Sequence, residues 1–192
     1  MTDTAERPAR ALTAEVRAPA RIDLDEDLHL RRFVPDDAQA LHDAIVASFA
    51  ELHPWMPWCK DPVEIAEQRE FLERTEKAWE SAEAFGYALC NAAGELLATI
   101  SLMDRVGPGA LEIGYWRRSD ASGRGLITRA TKALTEVGLS LPGVERIEIH
   151  CDAANLRSAA VPQRLGYRLD REQDGAALAP GDTGREQFWV TP

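Results

Sequence analysis

The chain has 192 residues, of which 45% are hydrophobic and 28% are charged, and its formal net charge is −10. This length suits one domain with one hydrophobic core, and the composition is typical of a globular protein. So acidic a surface repels phosphate backbones, which argues against nucleic acid as the main partner and is compatible with a cationic amine ligand.

The start of the chain predicts a cytoplasmic protein. Residues 1–20 are rich in Ala, Arg, Glu and Pro without a sustained period, so we expect a flexible tail and no secretory signal. No apolar run is long enough to cross a bilayer, and no membrane partner is expected. The cysteines and histidines lack the spacing of a disulfide framework or a metal site, so we interpret them as ordinary core or surface residues. They are Cys59, Cys90, Cys151, His29, His42, His53 and His150.

The first part of the remaining chain, residues 21–192, predicts a strand and two helices. Residues 28–33 alternate loosely between polar and apolar side chains, as a strand does. Asp36 or Asp37 can cap a helix that follows, and prolines end this helix near residues 54–57. Asp61-Pro62 is a typical start for the second helix. The apolar stripe of the first helix is Ala38, Leu41, Ile45 and Phe49.

The second part predicts six strands and two more helices. Residues 85–90 and 96–102 form a hairpin, and a strand over 111–116 precedes a glycine turn and an amphipathic helix that ends at Pro142-Gly143. A strand over 146–151, a short helix over 155–165 and strands over 167–169 and 187–190 complete the order. Residues 21–192 are thus expected to form one α/β (α+β) domain, a mixed sheet with helices on both faces.

The glycine turn, Gly123-Arg124-Gly125, resembles a phosphate site, or else it is an ordinary tight turn before a helix. The N-terminus of a helix presents unpaired N–H groups and a partial positive charge. The two glycines let a ligand approach the backbone, Arg124 adds charge, and the Thr128 hydroxyl can donate. The segment is neither a P-loop nor a dinucleotide fingerprint, because it lacks the lysine of the first and the third glycine of the second.

A second motif follows the glycine turn at a characteristic separation. It is an Asn-x-x-Ser sequence, Asn155 to Ser158, then a short helix and Leu165-Gly166-Tyr167. With the glycine turn it resembles the two signatures of the GNAT family of N-acetyltransferases, and the likeness extends over residues 28–189. The branch it resembles is the RimJ/RimL-like ribosomal-protein N-terminal acetyltransferases. The segments that match this branch are Trp55-Met56-Pro57-Trp58, Ile113-Gly114-Tyr115-Trp116 and Gly123-Arg124-Gly125-Leu126-Ile127-Thr128.

The resemblance implies a fold and a co-substrate. It implies a mostly antiparallel sheet whose fourth and fifth strands splay apart, with the pantetheine arm of acetyl-CoA lying between them. Ser122 and Ile127 depart from the family pattern, where a long donor and a small residue are usual. Backbone N–H donation survives both changes. The residues implied to bind acetyl-CoA are Ile113, Tyr115, Trp116, Gly123, Arg124, Gly125, Leu126, Ile127, Thr128, Asn155 and Ser158.

The family chemistry is direct attack of a primary amine on the thioester, without a metal. Glu112 is the candidate base, or else an exposed charge at a strand edge. Ser158 is the candidate donor to the departing thiolate, and the alternative for Ser158 and Asn155 alike is helix capping. The tryptophans Trp55 and Trp58, with His53, are candidates for the acceptor pocket, or else they pack the helices onto the sheet.

The acceptor remains open at this stage. It is a protein N-terminal amine, as in the ribosomal branch, or a small amine such as an antibiotic, an amino acid or an aminoacyl-nucleotide. A non-catalytic acyl-CoA-binding module and a nucleotide-binding α/β protein are the alternatives to an enzyme. We expect a monomer or a homodimer.

Overall fold

The computed structural model describes residues 10–191, which form an eight-stranded sheet in the order β1-β2-β3-β4-β5-β6-β8-β7. The strands are β1 (Arg21–Asp23), β2 (Leu28–Arg32), β3 (Ala84–Asn91), β4 (Leu96–Gly107), β5 (Ala110–Arg117), β6 (Arg146–Asp152), β7 (Arg168–Asp174) and β8 (Arg185–Val190). The helices are α1 (Ala38–Leu52), α2 (Ile65–Glu80), α3 (Leu126–Ser140) and α4 (Leu156–Arg164).

Helices cover both faces of the sheet, as expected. Leu41 of α1 and Leu72 of α2 pack with Ala88 of β3 on one face. Leu134 of α3 and Leu89 of β3 belong to the large core on the other face. Adjacent residues of a strand point to opposite faces of the sheet. The contacts of Ala88 and Leu89 therefore place α1 and α2 on one face and α3 and α4 on the other.

The sheet is antiparallel except between β5 and β6, and there the strands separate. The parallel pairing covers only three residues of each strand and ends at Glu112 and Glu148. Beyond that point β5 remains paired with β4 on its other side, and β6 with β8. The predicted splay of the fourth and fifth strands is therefore confirmed, at the fifth and sixth strands of the structure.

Four element boundaries differ from the prediction. The strand β1 went unpredicted because it is a short edge strand without an apolar alternation, Arg21-Ile22-Asp23. Helix α2 begins at Ile65 and not at Asp61-Pro62, because its N-cap residue Glu64 is still extended. Strands β4 and β7 run five residues further than expected, to Gly107 and Asp174.

The segment 10–20 packs against the sheet, which corrects the expectation of a flexible tail over this part of the chain. Leu12 and Ala18 are buried in the main core. The buried carboxylate of Asp104 accepts hydrogen bonds from Arg10 Nε (3.1 Å) and from the backbone N–H groups of Ala11 (2.8 Å) and Leu12 (2.9 Å). Residues 1–9 of the expected tail lie outside the described residues. Within residues 10–191, no helix has the length and apolarity to cross a membrane.

Candidate active site

A cavity of about 870 Å³ opens where β5 and β6 part. One wall is the strand pair, with residues 112–116 of β5 and 149–152 of β6. Asn155 and Ser158 of α4 contribute on the side of the main core. On the other side the cavity extends beneath α1 and α2 to the loop that joins them and to the loop between β7 and β8. The gap thus joins two compartments, one on each face of the sheet.

The glycine turn lies at the N-terminus of α3 and is exposed, outside the wall of this cavity. Gly123 and Gly125 have φ angles of 75° and 65°, a left-handed conformation that favours glycine. No atom lies within 4 Å of a Cβ built on either residue, so the surface above both is open. The first backbone bond of the helix runs from Arg129 N–H to the Gly125 carbonyl (3.0 Å), and no side chain in the described chain caps the helix. The preceding N–H groups are therefore available to an anionic ligand such as a pyrophosphate.

The unpaired edge of β5 fits an extended ligand. Beyond Glu112 this edge faces β6 without a strand partner among residues 10–191. A chain with alternating amide groups can pair with such an edge as an added strand does. The open turn and the open edge together suit the pyrophosphate and the pantetheine arm of acetyl-CoA.

Hydroxyl groups meet at the α4 side of the gap. Asn155 caps α4, since its Oδ1 accepts from Ser158 N–H (3.1 Å), and its amide nitrogen has no partner in the described chain. The Ser158 hydroxyl donates to the Tyr115 hydroxyl (3.3 Å), which itself donates to the Ser158 carbonyl (3.0 Å). Burial raises the pKa of Tyr115, and it raises the pKa of the nearby Cys151 thiol to about 11. Both groups therefore stay protonated at neutral pH, as donors should.

The other side of the gap is aromatic. Trp55 and Trp58 both line the cavity, and the Trp58 ring lies 6.0 Å from that of Trp116, centroid to centroid. The side chain of Trp116 thus faces this compartment, whereas the backbone of β5 borders the gap. His53 is not among the described residues that line the cavity. Its Nδ1 lies 2.7 Å from the Cys59 carbonyl oxygen and its ring stacks on Phe49, so it shapes the α1–α2 loop instead.

Glu112 is buried and paired, not an exposed charge at a strand edge. Its side chain lies at the end of the β5–β6 pairing and is 7% exposed. Arg105 of β4 donates to both carboxylate oxygens, with Nε–Oε2 at 2.7 Å and Nη2–Oε1 at 2.5 Å. His150 approaches from β6, with its Nδ1 at 3.5 Å from Glu112 Oε2. All three residues line the cavity.

The cavity wall carries more acidic side chains than basic ones. It has six carboxylates and three basic side chains, apart from His150. Such an excess of anions attracts a cation such as an ammonium group. The carboxylates are Glu67, Glu70, Glu112, Asp152, Asp182 and Glu186, and the bases are Lys60, Arg74 and Arg105.

Several wall residues could not be assigned from the sequence. His150 had no motif around it. The strand register pairs Glu112 with Glu148, and the His150 side chain, two residues further along β6, reaches Glu112 only in the folded sheet. Arg105 lies in the part of β4 beyond the predicted hairpin. The loop over 175–184 was expected only as a loop, yet its residue Gly181 donates a backbone hydrogen bond to the Pro54 carbonyl (2.7 Å) and so joins this loop to the α1–α2 loop. Among the described residues no cluster suits a metal ion.

Comparisons with known proteins agree with this geometry. A family model described as "Acetyltransferase (GNAT) domain" matches residues 27–168. A Bacillus subtilis protein named "Putative ribosomal N-acetyltransferase YdaF" is 28% identical over 147 residues, which cover 75% of this chain and 79% of that protein.

Two solved structures illustrate the shared fold. The microcin C7 self-immunity acetyltransferase MccE, solved with acetyl-CoA and AMP, superposes with a TM-score of 0.82 at 20% identity, over 90% of this chain and 96% of that one. RimL, a ribosomal L7/L12 α-N-protein acetyltransferase solved with coenzyme A, gives 0.81 at 22% identity, over 89% of this chain and 97% of that one. The family match, the splayed strands and the open glycine turn lead to one assignment: the chain belongs to the GNAT family of acetyltransferases, enzymes that transfer an acetyl group from acetyl-CoA to an amine.

Proposed function

We propose that the chain acetylates the α-amine at the N-terminus of a peptide or protein. The observation that carries this proposal is the acidic, aromatic compartment that joins the strand gap at Glu112. At about 870 Å³ the whole cavity is at the upper end of the usual range for ligand sites, so it has room for a peptide end beside the pantetheine arm. A protein acceptor is supported by the names of two similar proteins, "Putative ribosomal N-acetyltransferase YdaF" and the ribosomal L7/L12 α-N-protein acetyltransferase RimL.

On the cofactor side, the residues of this chain bind acetyl-CoA and orient its thioester. The N–H groups that open α3, with Arg124, Leu126, Ile127 and Thr128 around them, hold the pyrophosphate in this proposal. The β5 edge from Ile113 to Trp116 and the amide of Asn155 hold the pantetheine arm. Acetyl-CoA, when bound, supplies the activated carbonyl. The Ser158 hydroxyl, supported by Tyr115, donates to the sulfur as negative charge develops there.

On the acceptor side, the carboxylates and the aromatic rings hold the ammonium group. The Glu112 carboxylate attracts it to the gap, and Trp55 and Trp58 flank the residues that follow it.

A small amine is the second candidate acceptor. Trp58 is 46% exposed and tilted at 50° to Trp116, so a flat group can stack on an open aromatic face. An aminoacyl-nucleotide combines such a group with an amine, and MccE was solved with AMP.

An acceptor screen separates these candidates. Acetyl-CoA and the enzyme are mixed with peptides that have free N-termini, including ribosomal-protein N-termini, with aminoacyl-nucleotide analogues and with aminoglycosides. Thiol release gives the rate, and mass spectrometry locates the acetyl group. We expect peptides with free N-termini to give the highest kcat/KM. Turnover of the nucleotide analogues alone would favour the second candidate, and coenzyme A binding without any turnover would favour a non-catalytic module.

The cytoplasm is the compartment we propose for this reaction. All three cysteines are free thiols buried in the structure, which suits a reducing compartment.

A further inference from the structure

We call the part of the cavity on the α1–α2 side of the sheet the acceptor compartment. His150 of β6 lies at its entrance. It is two residues beyond Glu148, where the β5–β6 pairing ends, so its side chain points to the same face as those of Glu148 and Glu112. The side chain is 15% exposed and lines the cavity, and its ring lies 4.4 Å from Phe188, centroid to centroid. Packing on Phe188 therefore fixes the His150 ring, and one edge of the ring faces the cavity.

The hydrogen bond with Glu148 selects the tautomer of His150. His150 Nε2 lies 2.8 Å from Glu148 Oε2, and Arg146 Nε donates to the other oxygen, also at 2.8 Å. Burial would raise the pKa of Glu148, but these two hydrogen bonds outweigh it and lower the pKa. Glu148 is therefore an anion that only accepts hydrogen bonds, so Nε2 of His150 carries a proton. In the neutral ring the lone pair is then on Nδ1.

The lone pair on His150 Nδ1 faces a second hydrogen-bond acceptor, a carboxylate oxygen of Glu112. Nδ1 lies 3.5 Å from Glu112 Oε2, and Glu112 is held as a carboxylate by Arg105. Two acceptors that face each other in a cavity wall are satisfied by a donor between them. The ammonium group of the acceptor provides such a donor, with one N–H for each.

We propose that His150 is the general base of the reaction, an inference that rests on the proposed acetylation of an amine in this cavity. The ammonium group gives one proton to His150 Nδ1, and the neutral amine forms a C–N bond with the thioester carbonyl carbon. The C–S bond breaks and its electron pair leaves with sulfur. The second proton of the nitrogen passes to the thiolate by way of Ser158 and Tyr115, which yields the amide and the thiol. The imidazolium, stabilised by Glu148, then returns its proton to solvent.

Glu112 suits a positioning role better than the role of base expected from the sequence. Protonating it would disrupt the two hydrogen bonds that its buried carboxylate accepts from Arg105. His150 loses no existing bond when it gains a proton at Nδ1. The pairing of a histidine with a buried carboxylate is the arrangement by which other enzymes hold a base in one tautomer.

The charges near His150 come from its own strand and from three others. Glu148 and Arg146 share its own strand, and Glu112 approaches from β5. Arg105 on β4 forms an ion pair with Glu112 and also interacts electrostatically with Glu186 of β8. A pH profile of this enzyme reports on the whole group, so the decisive test changes the acceptor as well as the residue.

The test compares two acceptors whose nucleophiles differ in protonation at pH 7. One is a peptide with an ordinary N-terminal amine, and the other is the same peptide with an aminooxyacetyl group, whose nucleophile is neutral at pH 7. His150→Gln keeps a donor for Glu148 and removes the base. We expect this variant to lose about 100-fold in kcat on the amine at pH 7. We expect it to stay within about threefold of wild type on the aminooxy peptide, which needs no base.

The pH dependence has a defined direction. The defect of His150→Gln on the amine peptide should shrink as pH rises, because solution then supplies the neutral amine. Glu148→Gln should lower kcat on the amine by about tenfold and leave KM and the aminooxy rate unchanged. His29→Gln, a histidine on the distant strand β2, is the matched control and should behave as wild type.

Each outcome is decisive. Turnover of the aminooxy peptide also reports that a variant is folded. If His150→Gln acetylates the amine as fast as wild type, or loses both acceptors equally, His150 is not the base and the proposed function stands. If wild type acetylates no amine, the proposed function fails and the inference with it.

Discussion

Two hydroxyl groups carry the chemistry proposed for the cofactor side, and the structure ties them together. Tyr115 donates to the Ser158 carbonyl and accepts from the Ser158 hydroxyl, so one residue orients the other. Tyr167, from the Leu-Gly-Tyr motif, serves a different purpose. Its hydroxyl lies 2.6 Å from the Thr135 hydroxyl and joins the end of α4 to α3, and burial raises its pKa to about 12.

Tyr115→Phe should therefore reduce kcat by about tenfold, with little effect on KM for acetyl-CoA, because Ser158 loses its orientation. Ser158→Ala should have a similar effect, and the double variant should be no slower than the worse single one, as for residues that act as a unit. Steady-state kinetics measures all three.

Tyr167→Phe is the matched control for the tyrosine. It should cost about 1 kcal/mol of unfolding free energy and leave kcat unchanged, since its hydroxyl bonds only to Thr135 in the described chain. Full additivity of Tyr115→Phe and Ser158→Ala would contradict the shared role.

At the scale of elements, the turn before α3 is the part that the sequence predicts best. Its function follows from local conformation, since two glycines with positive φ lie just before a helix. Local signals suffice for such a feature. The predicted phosphate site, the apolar stripe of α3 and the end of α3 just before Pro142-Gly143 are all inferred from residues that are neighbours in sequence.

Gly125→Ala tests this turn. A left-handed alanine costs about 1 kcal/mol, and the shift that relieves it moves the N–H groups that open α3. We expect KM for acetyl-CoA to rise about fivefold, as about 1 kcal/mol of lost binding implies, with KM for the peptide unchanged.

Gly94→Ala is the control for strain alone. Gly94 lies in the β3–β4 hairpin turn at φ 82°, also with no atom within 4 Å of its added Cβ. The Gly94→Ala variant should lose about as much unfolding free energy as Gly125→Ala, without any change in KM for acetyl-CoA. Equal effects of the two substitutions on that KM would contradict the assigned role of the turn.

Loops from distant parts of the chain meet beside the acceptor compartment, and the sequence contains no signal that predicts this contact. Gly181 lies 127 residues from Pro54 by their numbers, yet its N–H bonds to the Pro54 carbonyl. The same holds for His150 and Glu112, whose side chains meet across two neighbouring strands that are far apart in sequence. Contacts of this kind depend on tertiary packing, and one sequence shows no pattern for them.

Gly181→Ala probes the contact between the loops. A Cβ at this position would lie 2.6 Å from the Pro54 carbonyl oxygen, so the β7–β8 loop must move away from the α1–α2 loop. KM for the peptide should rise about tenfold while KM for acetyl-CoA stays unchanged. Gly175→Ala, in the same loop but with no atom within 4 Å of its added Cβ, should change KM much less. A larger effect at residue 175 would refute the role of the contact.

At the scale of the whole molecule, the fold divides the reaction between the two faces of one sheet. The side with α3 and α4 offers backbone donors and hydroxyls, whereas the side with α1 and α2 offers carboxylates and aromatic rings. The gap between β5 and β6 connects them, and the net charge of −10 favours a cationic partner. The family motifs predict the first side well. The second side depends on loops, which is why the acceptor cannot be derived from motifs alone.

The most direct test of this account is the site of acetylation on one defined peptide. A peptide with a free N-terminus and an internal lysine is compared with the same peptide blocked at the N-terminus, each with enzyme and acetyl-CoA. The account predicts one acetyl group on the α-amine of the first peptide and no turnover of the second. Acetylation of the lysine in both peptides, or of neither peptide by an enzyme that binds acetyl-CoA, would contradict it.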